Sequence, residues 1–187
     1  MVSPFSFIVE PKGGKRYDNT VKAGDIDLIL SSSKEDHTVS NREAVVISCP
    51  SGYKGPVYPG DILIVHHNVF KVYNDMQRME RSGKSYFKDG LYLIDDDQWF
   101  AYKRDGKLMP KEGFCFIKPS KTKEYFISKP GSRERLHGTV VIADQHLINN
   151  GIRPGDEVIF TEDSEYEFRI DGDVYYRVYS KDVCMVL

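Results

Sequence analysis

The chain has 187 residues, with 26 Lys and Arg against 28 Asp and Glu, and its formal charge of −2 at 29% charged residues excludes a basic nucleic-acid footprint. Mean hydropathy is −0.45, and no run approaches the ~18 apolar residues of a membrane-spanning helix. Cys49, Cys115 and Cys184 are odd in number, far apart and without a C-x-x-C pair, which argues against a disulfide framework or a zinc ribbon and for a reduced, cytosolic compartment.

The 12 Tyr and 10 Phe favour strands. Phe5-Ser6-Phe7-Ile8-Val9 is too short for a signal-peptide core, ends at Glu10-Pro11 and reads as a strand. Residues 13–43 then form a connection of ~30 residues, a length at which loops are usually functional or disordered. Its flanks are polar, and its middle reads Ala23-Gly24-Asp25-Ile26-Asp27-Leu28-Ile29-Leu30-Ser31. A short aliphatic segment between polar flanks is how a binding motif is built into a loop. The same residues also read as an ordinary strand of the domain. Val45-Val46-Ile47, Pro59-Gly60-Asp61-Ile62-Leu63-Ile64, residues 69–73 and residues 91–94 follow as short β-branched or aromatic runs bounded by Gly, Pro and Asp, and so as strands. Residues 74–81 are the one plausible helical stretch, and they read better as part of a long hairpin. The polar turn Asp105-Gly106-Lys107 marks a boundary between units at 1–106 and 107–187.

The second unit repeats the first. Phe5 to Pro11 recurs as Phe114-Cys115-Phe116-Ile117-Lys118-Pro119, beginning at an offset of 109. Val45-Val46-Ile47 recurs as Val140-Val141-Ile142, and Pro59-Gly60-Asp61 as Pro154-Gly155-Asp156, both at an offset of 95. Tyr92-Leu93-Ile94 and Trp99 align with Tyr176-Arg177-Val178 and Val183 at an offset of 84. Four matches in one order imply duplication, and each drop in offset implies a longer loop in the first unit. Units of this size bury little of their surface alone, and a small barrel with few open edges is the economical arrangement.

Other constellations carry less. His66-His67 reads as adjacent strand residues on opposite faces, unable to share a metal. Asp95-Asp96-Asp97 lacks the spacing and Gly of a calcium loop, and Glu162-Asp163-Ser164-Glu165 is an acidic turn. The basic residues at Lys103-Arg104 and over 118–129 alternate with acids and Pro, as in a solvated linker. No phosphate-cradling Gly motif or nucleophile triad order stands out, so no enzyme, cofactor or metal site is expected.

Gly138-Thr139-Val140-Val141-Ile142, then Gly151-Ile152-Arg153-Pro154-Gly155-Asp156-Glu157-Val158-Ile159-Phe160, then Tyr176-Arg177-Val178-Tyr179-Ser180-Lys181-Asp182-Val183-Cys184-Met185-Val186 resemble three segments of GroES-type co-chaperonins in the right order. The likeness covers most of the second unit and, less tightly, residues 5–102. The family's opening motif is only echoed by Pro4-Phe5-Ser6-Phe7 and Pro110-Lys111-Glu112-Gly113-Phe114, and its Gly-rich acidic roof hairpin is not recognisable. The chain resembles a divergent tandem member, closer to viral than to plastid forms.

The resemblance implies an all-β chain of two tandem GroES-like, partly open β-barrels that caps an ATP-driven, GroEL-type chaperonin ring and helps enclose a folding client. In that family the contact is made by a mobile loop between the first two strands, a Gly followed by aliphatic residues. Here that places Gly24, Ile26, Leu28, Ile29 and Leu30 at the contact. In the second unit the shorter loop at 120–137 carries Tyr125, Phe126 and Ile127, which read equally as a second, weaker tip and as a structural strand or turn. Binding would be nucleotide-dependent, by a homo-oligomer in the cytoplasm, a heptamer if seven chains each dock through the first unit. A structural or decoration protein built on the same barrels is the alternative, and an enzyme subdomain is weaker because no nucleotide-binding half follows.

Overall fold

The computed structural model describes residues 1–17, 20–23, 26–29, 40–77, 79–121 and 133–187. The chain is all-β apart from short helical turns and divides into two compact units, Met1–Lys107 and Leu108–Leu187. Strands β1 (Phe7–Pro11), β2 (Thr20–Ala23), β3 (Ile26–Ile29), β4 (Glu43–Ser48), β5 (Ile62–Val65), β6 (Val72–Asn74), β7 (Glu80–Ser82), β8 (Tyr86–Lys88), β9 (Leu91–Ile94), β10 (Trp99–Arg104) and β11 (Lys107–Pro110) come first. They are followed by β12 (Phe114–Lys121), β13 (Arg133–Ile142), helix α1 (Gln145–Asn149), β14 (Glu157–Phe160), β15 (Tyr166–Ile170), β16 (Asp173–Tyr179) and β17 (Val183–Val186).

The seven-stranded sheet runs β11-β10-β5-β4-β1-β9-β8, and the six-stranded sheet runs β15-β16-β12-β13-β14-β17. Read from β10 to β8 and from β17 to β15, the two orders are the same. Strand β1 stands where β12 does, β4 where β13 does, and β5 where β14 does. The registers agree as well. Phe7, Ile8 and Val9 face Ile94, Leu93 and Tyr92 on β9, as Cys115, Phe116 and Ile117 face Val178, Arg177 and Tyr176 on β16. Trp99 faces Val65 and Val183 faces Phe160, each followed by a bulge before the next pair.

Two of the alignments made from the sequence are each corrected by a single residue. Ile8 faces Ser48 and Val9 faces Val46, leaving Ile47 as a bulge. Phe116 faces Ile142 and Ile117 faces Val140, leaving Val141 as a bulge. Val46 therefore corresponds to Val140, both buried, and Ile47 to Val141, both exposed. The offsets along these strands are 108 and 94 rather than 109 and 95. A slip of one residue exchanges the two faces of a strand, so the correction decides which aliphatic residue is core. The extra residue is taken up between β13 and β14, where α1 forms. Asp144 caps that helix, accepting from Leu147 N–H at 2.9 Å and from Gly113 N–H at 2.8 Å, and Leu147 is buried. The sequence reading expected no helix there. The stretch 74–81, where a helix or hairpin was weighed, is spanned by β6 and β7, which pair as an antiparallel hairpin.

In each unit a Pro-Gly-Asp turn fastens the middle of the sheet. Val46 N–H donates to Asp61 O at 2.9 Å and Gly60 N–H to Val46 O at 2.8 Å. Val140, Asp156 and Gly155 repeat both bonds at 2.9 and 2.8 Å. Each aspartate side chain then accepts a backbone N–H, from Tyr58 and from Arg153, both at 2.8 Å. The glycines sit at φ 94 and 102, the left-handed region that disfavours a side chain. The Asp-Gly pairs 89–90, 105–106 and 171–172 have positive φ at both residues, as a two-residue hairpin that keeps the strand twist requires.

The first unit packs Phe7 edge-on against Tyr53 and Trp99, at centroid distances of 4.9 and 5.8 Å. In the second unit Cys115 takes the place of Phe7, and its core is completed by Leu147 of α1. A cysteine buried there is chemically quiet, because burial pushes the Cys115 thiol up to about 12.

Two outcomes follow for stability. Gly138 stands where the first unit has Ala44, and a Cβ there would meet Ile117 Cγ2 at 2.5 Å and Lys118 O at 2.6 Å. Gly138→Ala should therefore destabilise by about 1–3 kcal/mol through overpacking, read as a lower midpoint in urea with the native circular dichroism retained. Asp61 is buried and held below the usual carboxylate range, chiefly by its hydrogen bonds to Arg104. A depressed pKa stabilises the fold above the unfolded carboxylate value and ceases to do so as pH falls through the folded one. Asp61→Asn should accordingly lower the urea midpoint at neutral pH, and the gap to the native chain should narrow in acid. An equal gap at both pH values would show that the ion pair does not supply the linkage.

Candidate functional site

The connection between β1 and β4 leaves the sheet at Lys12 and returns at Asn41, and side chains lace its two ends together. Pro11 closes the pairing with Ala44, and a 3₁₀ turn over Lys12–Gly14 redirects the chain through Gly13 at φ 71. Asn41 is the hub. Its Nδ2 donates to Lys12 O at 3.0 Å and to Lys15 O at 2.8 Å, while its Oδ1 accepts from Glu43 N–H at 2.9 Å. Its own N–H donates to Arg16 O at 3.0 Å. Tyr17 then pairs with Ser40 through an isolated antiparallel bridge.

The neck is tied to the first unit on two sides. Glu43 accepts from Lys12 Nζ at 2.6 Å and from Lys103 Nζ at 3.2 Å. Across from it, Tyr17 OH accepts from Val72 N–H at 2.8 Å, and Arg16 donates to Ser82 Oγ at 3.1 Å. The Arg16 guanidinium lies over the rings of Tyr86 and Tyr92, 5.1 and 5.6 Å from their centroids, a favourable cation–π placement. The outgoing end of the connection is thus held by the β6–β7 hairpin, β8 and β9, and Asn41 and Ser40 tie the returning end to it.

Beyond the neck, β2 and β3 pair with each other in a two-stranded sheet, with Thr20 facing Ile29, Val21 facing Leu28 and Ala23 facing Ile26. Of the expected contact residues, Ile26, Leu28 and Ile29 lie on β3, while Gly24 and Leu30 lie outside the described residues. Ile26–Ile29 form a strand that pairs with β2 in a two-stranded sheet of its own and not in the seven-stranded sheet. Tyr125, Phe126 and Ile127 also lie outside the described residues. Strand β12 runs to Lys121 and pairs there with Arg133, so the second connection is shorter than residues 120–137.

The anchors Asn41, Arg16 and Tyr17 were not found from the sequence. Each acts on partners distant along the chain, and no local pattern marks them. A second feature missed is the tip of the β6–β7 hairpin, where Met76 and Met79 are exposed. Asp75 orders that tip, its Oδ1 accepting from the N–H groups of Gln77 and Met79, both at 2.9 Å.

His66 and His67 correct a further expectation. They follow β5 in a turn, so their rings do not diverge across a strand but lie against each other at 4.1 Å between centroids. Asp95 caps the 3₁₀ turn Asp96–Gln98 in a reciprocal box with Gln98, and also accepts from Ser6 Oγ at 2.8 Å. Among the described residues no group of three His, Cys, Asp or Glu side chains is placed to hold a metal ion, and no helix is long and apolar enough to cross a membrane. No protein-family model matches the chain, and no curated protein matches it either.

Losing the hub should loosen the neck without unfolding the sheet. Asn41→Ala removes three hydrogen bonds that are exposed or part-buried, so a local loss of about 0.5–1.5 kcal/mol per bond at most is expected. Hydrogen exchange should show faster exchange at Asn41 and Glu43 with little change at Val9 and Val46. Uniform acceleration across both sets would show that Asn41 supports the whole unit instead.

Proposed function

We propose that this chain is a co-chaperonin, made of two tandem GroES-like, partly open β-barrels, that caps an ATP-driven chaperonin ring and helps enclose a folding client. The observation that carries the reading is the β2–β3 hairpin, an aliphatic sequence on an anchored neck between the first two core strands. Such placement separates recognition from stability. The neck is fixed by Asn41, Arg16 and Tyr17, while the paired segment beyond it adds no strand to the main sheet. In this reading Gly24, Ile26, Leu28, Ile29 and Leu30 form the contact with a GroEL-type partner, and Tyr125, Phe126 and Ile127 form a second, weaker tip.

Magnitudes favour a multivalent partner. One aliphatic tip in a groove gains roughly 3–6 kcal/mol at about 25 cal/mol per Å², and ordering the segment consumes about 2–5 kcal/mol of it. A single contact is then weak and releasable, and several copies presented to a ring gain avidity through effective concentration. A heptamer matches a seven-position ring with one first-unit contact per chain. The second reading, a structural or decoration protein of the same architecture, is favoured by the exposed apolar residues of β17, which suit assembly without any chaperonin.

Ile29→Asp separates the two. Light scattering of the chain mixed with a bacterial chaperonin should show a complex with ATP or ADP and none without nucleotide. The variant should lose that complex while its circular dichroism stays native. A native chain that forms stable oligomers but no nucleotide-dependent complex would favour the structural role. A variant that loses its native spectrum would place Ile29 in the core rather than at a contact.

A further inference from the structure

Arg16 is half-buried, and no carboxylate answers its charge. Among the described residues its guanidinium makes no ion pair, and its one hydrogen bond runs from Nη1 to Ser82 Oγ at 3.1 Å. A guanidinium carries five N–H donors in a planar fork, so most of them meet no protein acceptor here. Its faces are occupied instead. The rings of Tyr86 and Tyr92 lie 5.1 and 5.6 Å from its carbon, and the two rings meet edge to face at 5.4 Å. Stacking on aromatic rings fixes the plane of the fork and leaves its edge to bind.

The second observation is Tyr92 itself. It is 1% exposed, and its hydroxyl is buried with no hydrogen-bond partner among the described residues. Such a group is costly, and native proteins rarely leave one without a bound ion or water to satisfy it. Burial pushes the Tyr92 hydroxyl above its ordinary value, while Arg16, Tyr86 and Tyr17 are close enough to act on it, Arg16 in the lowering direction. Two further hydroxyls join them. Tyr17 OH accepts from Val72 N–H at 2.8 Å and Ser82 Oγ accepts from Arg16, so each keeps its own proton to donate.

We propose that Arg16, Tyr17, Ser82 and Tyr92 form a carboxylate-binding site at the neck of the β1–β4 connection. Arg16 supplies the only formal charge of the four, and the hydroxyls are neutral donors. A planar, singly charged acceptor fits that set, because the fork takes both oxygens of a carboxylate side by side. A doubly charged phosphate would keep one charge uncompensated in a half-buried place. The carboxylate belongs either to a small organic acid or to an aspartate or glutamate of a partner protein, and the same two oxygens are recognised in both. Once bound, it ties Arg16 and Tyr17 to Ser82 of β7 and Tyr92 of β9, and so stiffens the neck from which β2 and β3 project. The site stands whether or not that hairpin engages a chaperonin.

Nuclear magnetic resonance of the full chain tests it through the Arg16 Nε–H signal, at neutral pH and constant ionic strength. The probes are acetate against chloride, and a short peptide with one glutamate against its glutamine counterpart. A carboxylate probe should shift the signal saturably and raise the melting temperature, and neither control should. Response to acetate assigns the site to a small acid, and response to the glutamate peptide alone assigns it to a protein partner. Tyr92→Phe should leave the melting temperature in chloride unchanged or raised, since the hydroxyl it removes bonds to nothing. The same variant should weaken binding of the active probe roughly tenfold, the loss of one hydrogen bond to a charged group. Arg16→Gln, with native circular dichroism, should abolish the thermal response, and if it unfolds Tyr92→Phe decides. An Arg16 signal that neither carboxylate probe moves would overturn the proposal. So would phosphate binding more tightly than either, or a Tyr92→Phe chain less stable than the native one in chloride. Ile29→Asp should respond as the native chain does, which keeps a failure of this site distinct from a failure of chaperonin binding.

Discussion

The exchange of two backbone hydrogen bonds between a Pro-Gly-Asp turn and one buried valine holds each unit in register. Val46 and Val140 bind their turns through the same atoms at the same distances. Beside each valine the strand bulges outward, at Ile47 and at Val141. A bulge sharpens local twist and bends its strand, and fixing it at the turn sets where β4 and β13 curve from β1 and β12 towards β5 and β14. In the first unit the turn is tied down further. Arg104 forms a two-point contact with Asp61, donates to Pro56 O at 2.6 Å and lies 4.7 Å from the Tyr58 ring centroid. Paired, bidentate geometry lets a buried carboxylate stay charged.

Much of this framework was legible because the turn has few chemical solutions. A Gly at positive φ followed by an Asp that caps its own turn leaves a sequence mark, and it recurs at a constant spacing. Tyr92 and Tyr176, with Trp99 and Val183 after them, were equally plain, since the two segments match without insertion. The runs at 45–47 and 140–142 were not, because every residue in them is aliphatic. Where each position is apolar, alternation cannot say which side chain faces inward, and the bulge removes what alternation remained. Helix α1 escaped because five residues carry almost no periodic signal. Its capping aspartate serves Gly113 as well as Leu147, a contact between residues far apart in the chain. The aliphatic stretch on β3 was visible as a segment, but its neck was not. Asn41 joins residues that lie 26 and 29 positions away, and one polar residue near a strand gives no hint of that reach.

The differences between the units are concentrated where function would diverge. Between β1 and β4 the first unit is 14 residues longer than the second between the matching positions, as the offsets of 108 and 94 require. Loop closure entropy grows only slowly with length, so the fold tolerates that insertion at small cost, provided the ends are fastened. The neck supplies the fastening, and it lets the inserted hairpin change in sequence without disturbing β1 or β4. The second long insertion, between β5 and β9, forms the β6–β7 hairpin whose Ser82 and Val72 hold Arg16 and Tyr17. The two insertions are therefore coupled, one bracing the other.

The same logic bears on the sheet edges. An edge strand is open to pairing unless another strand lies beyond it. In the seven-stranded sheet β11 lies beyond β10, which it follows through the Asp105-Gly106 turn. Duplication copies the edge together with the rest of the strand. The copied edge on β17 retains Val183, Met185 and Val186, apolar residues at positions the first unit keeps under cover as Trp99, Ala101 and Tyr102. Selection against edge-to-edge aggregation ordinarily replaces such residues with lysine or proline. Met185 and Val186 are 61% and 50% exposed where Ala101 and Tyr102 are buried, so the matching strands carry apolar side chains in opposite surroundings.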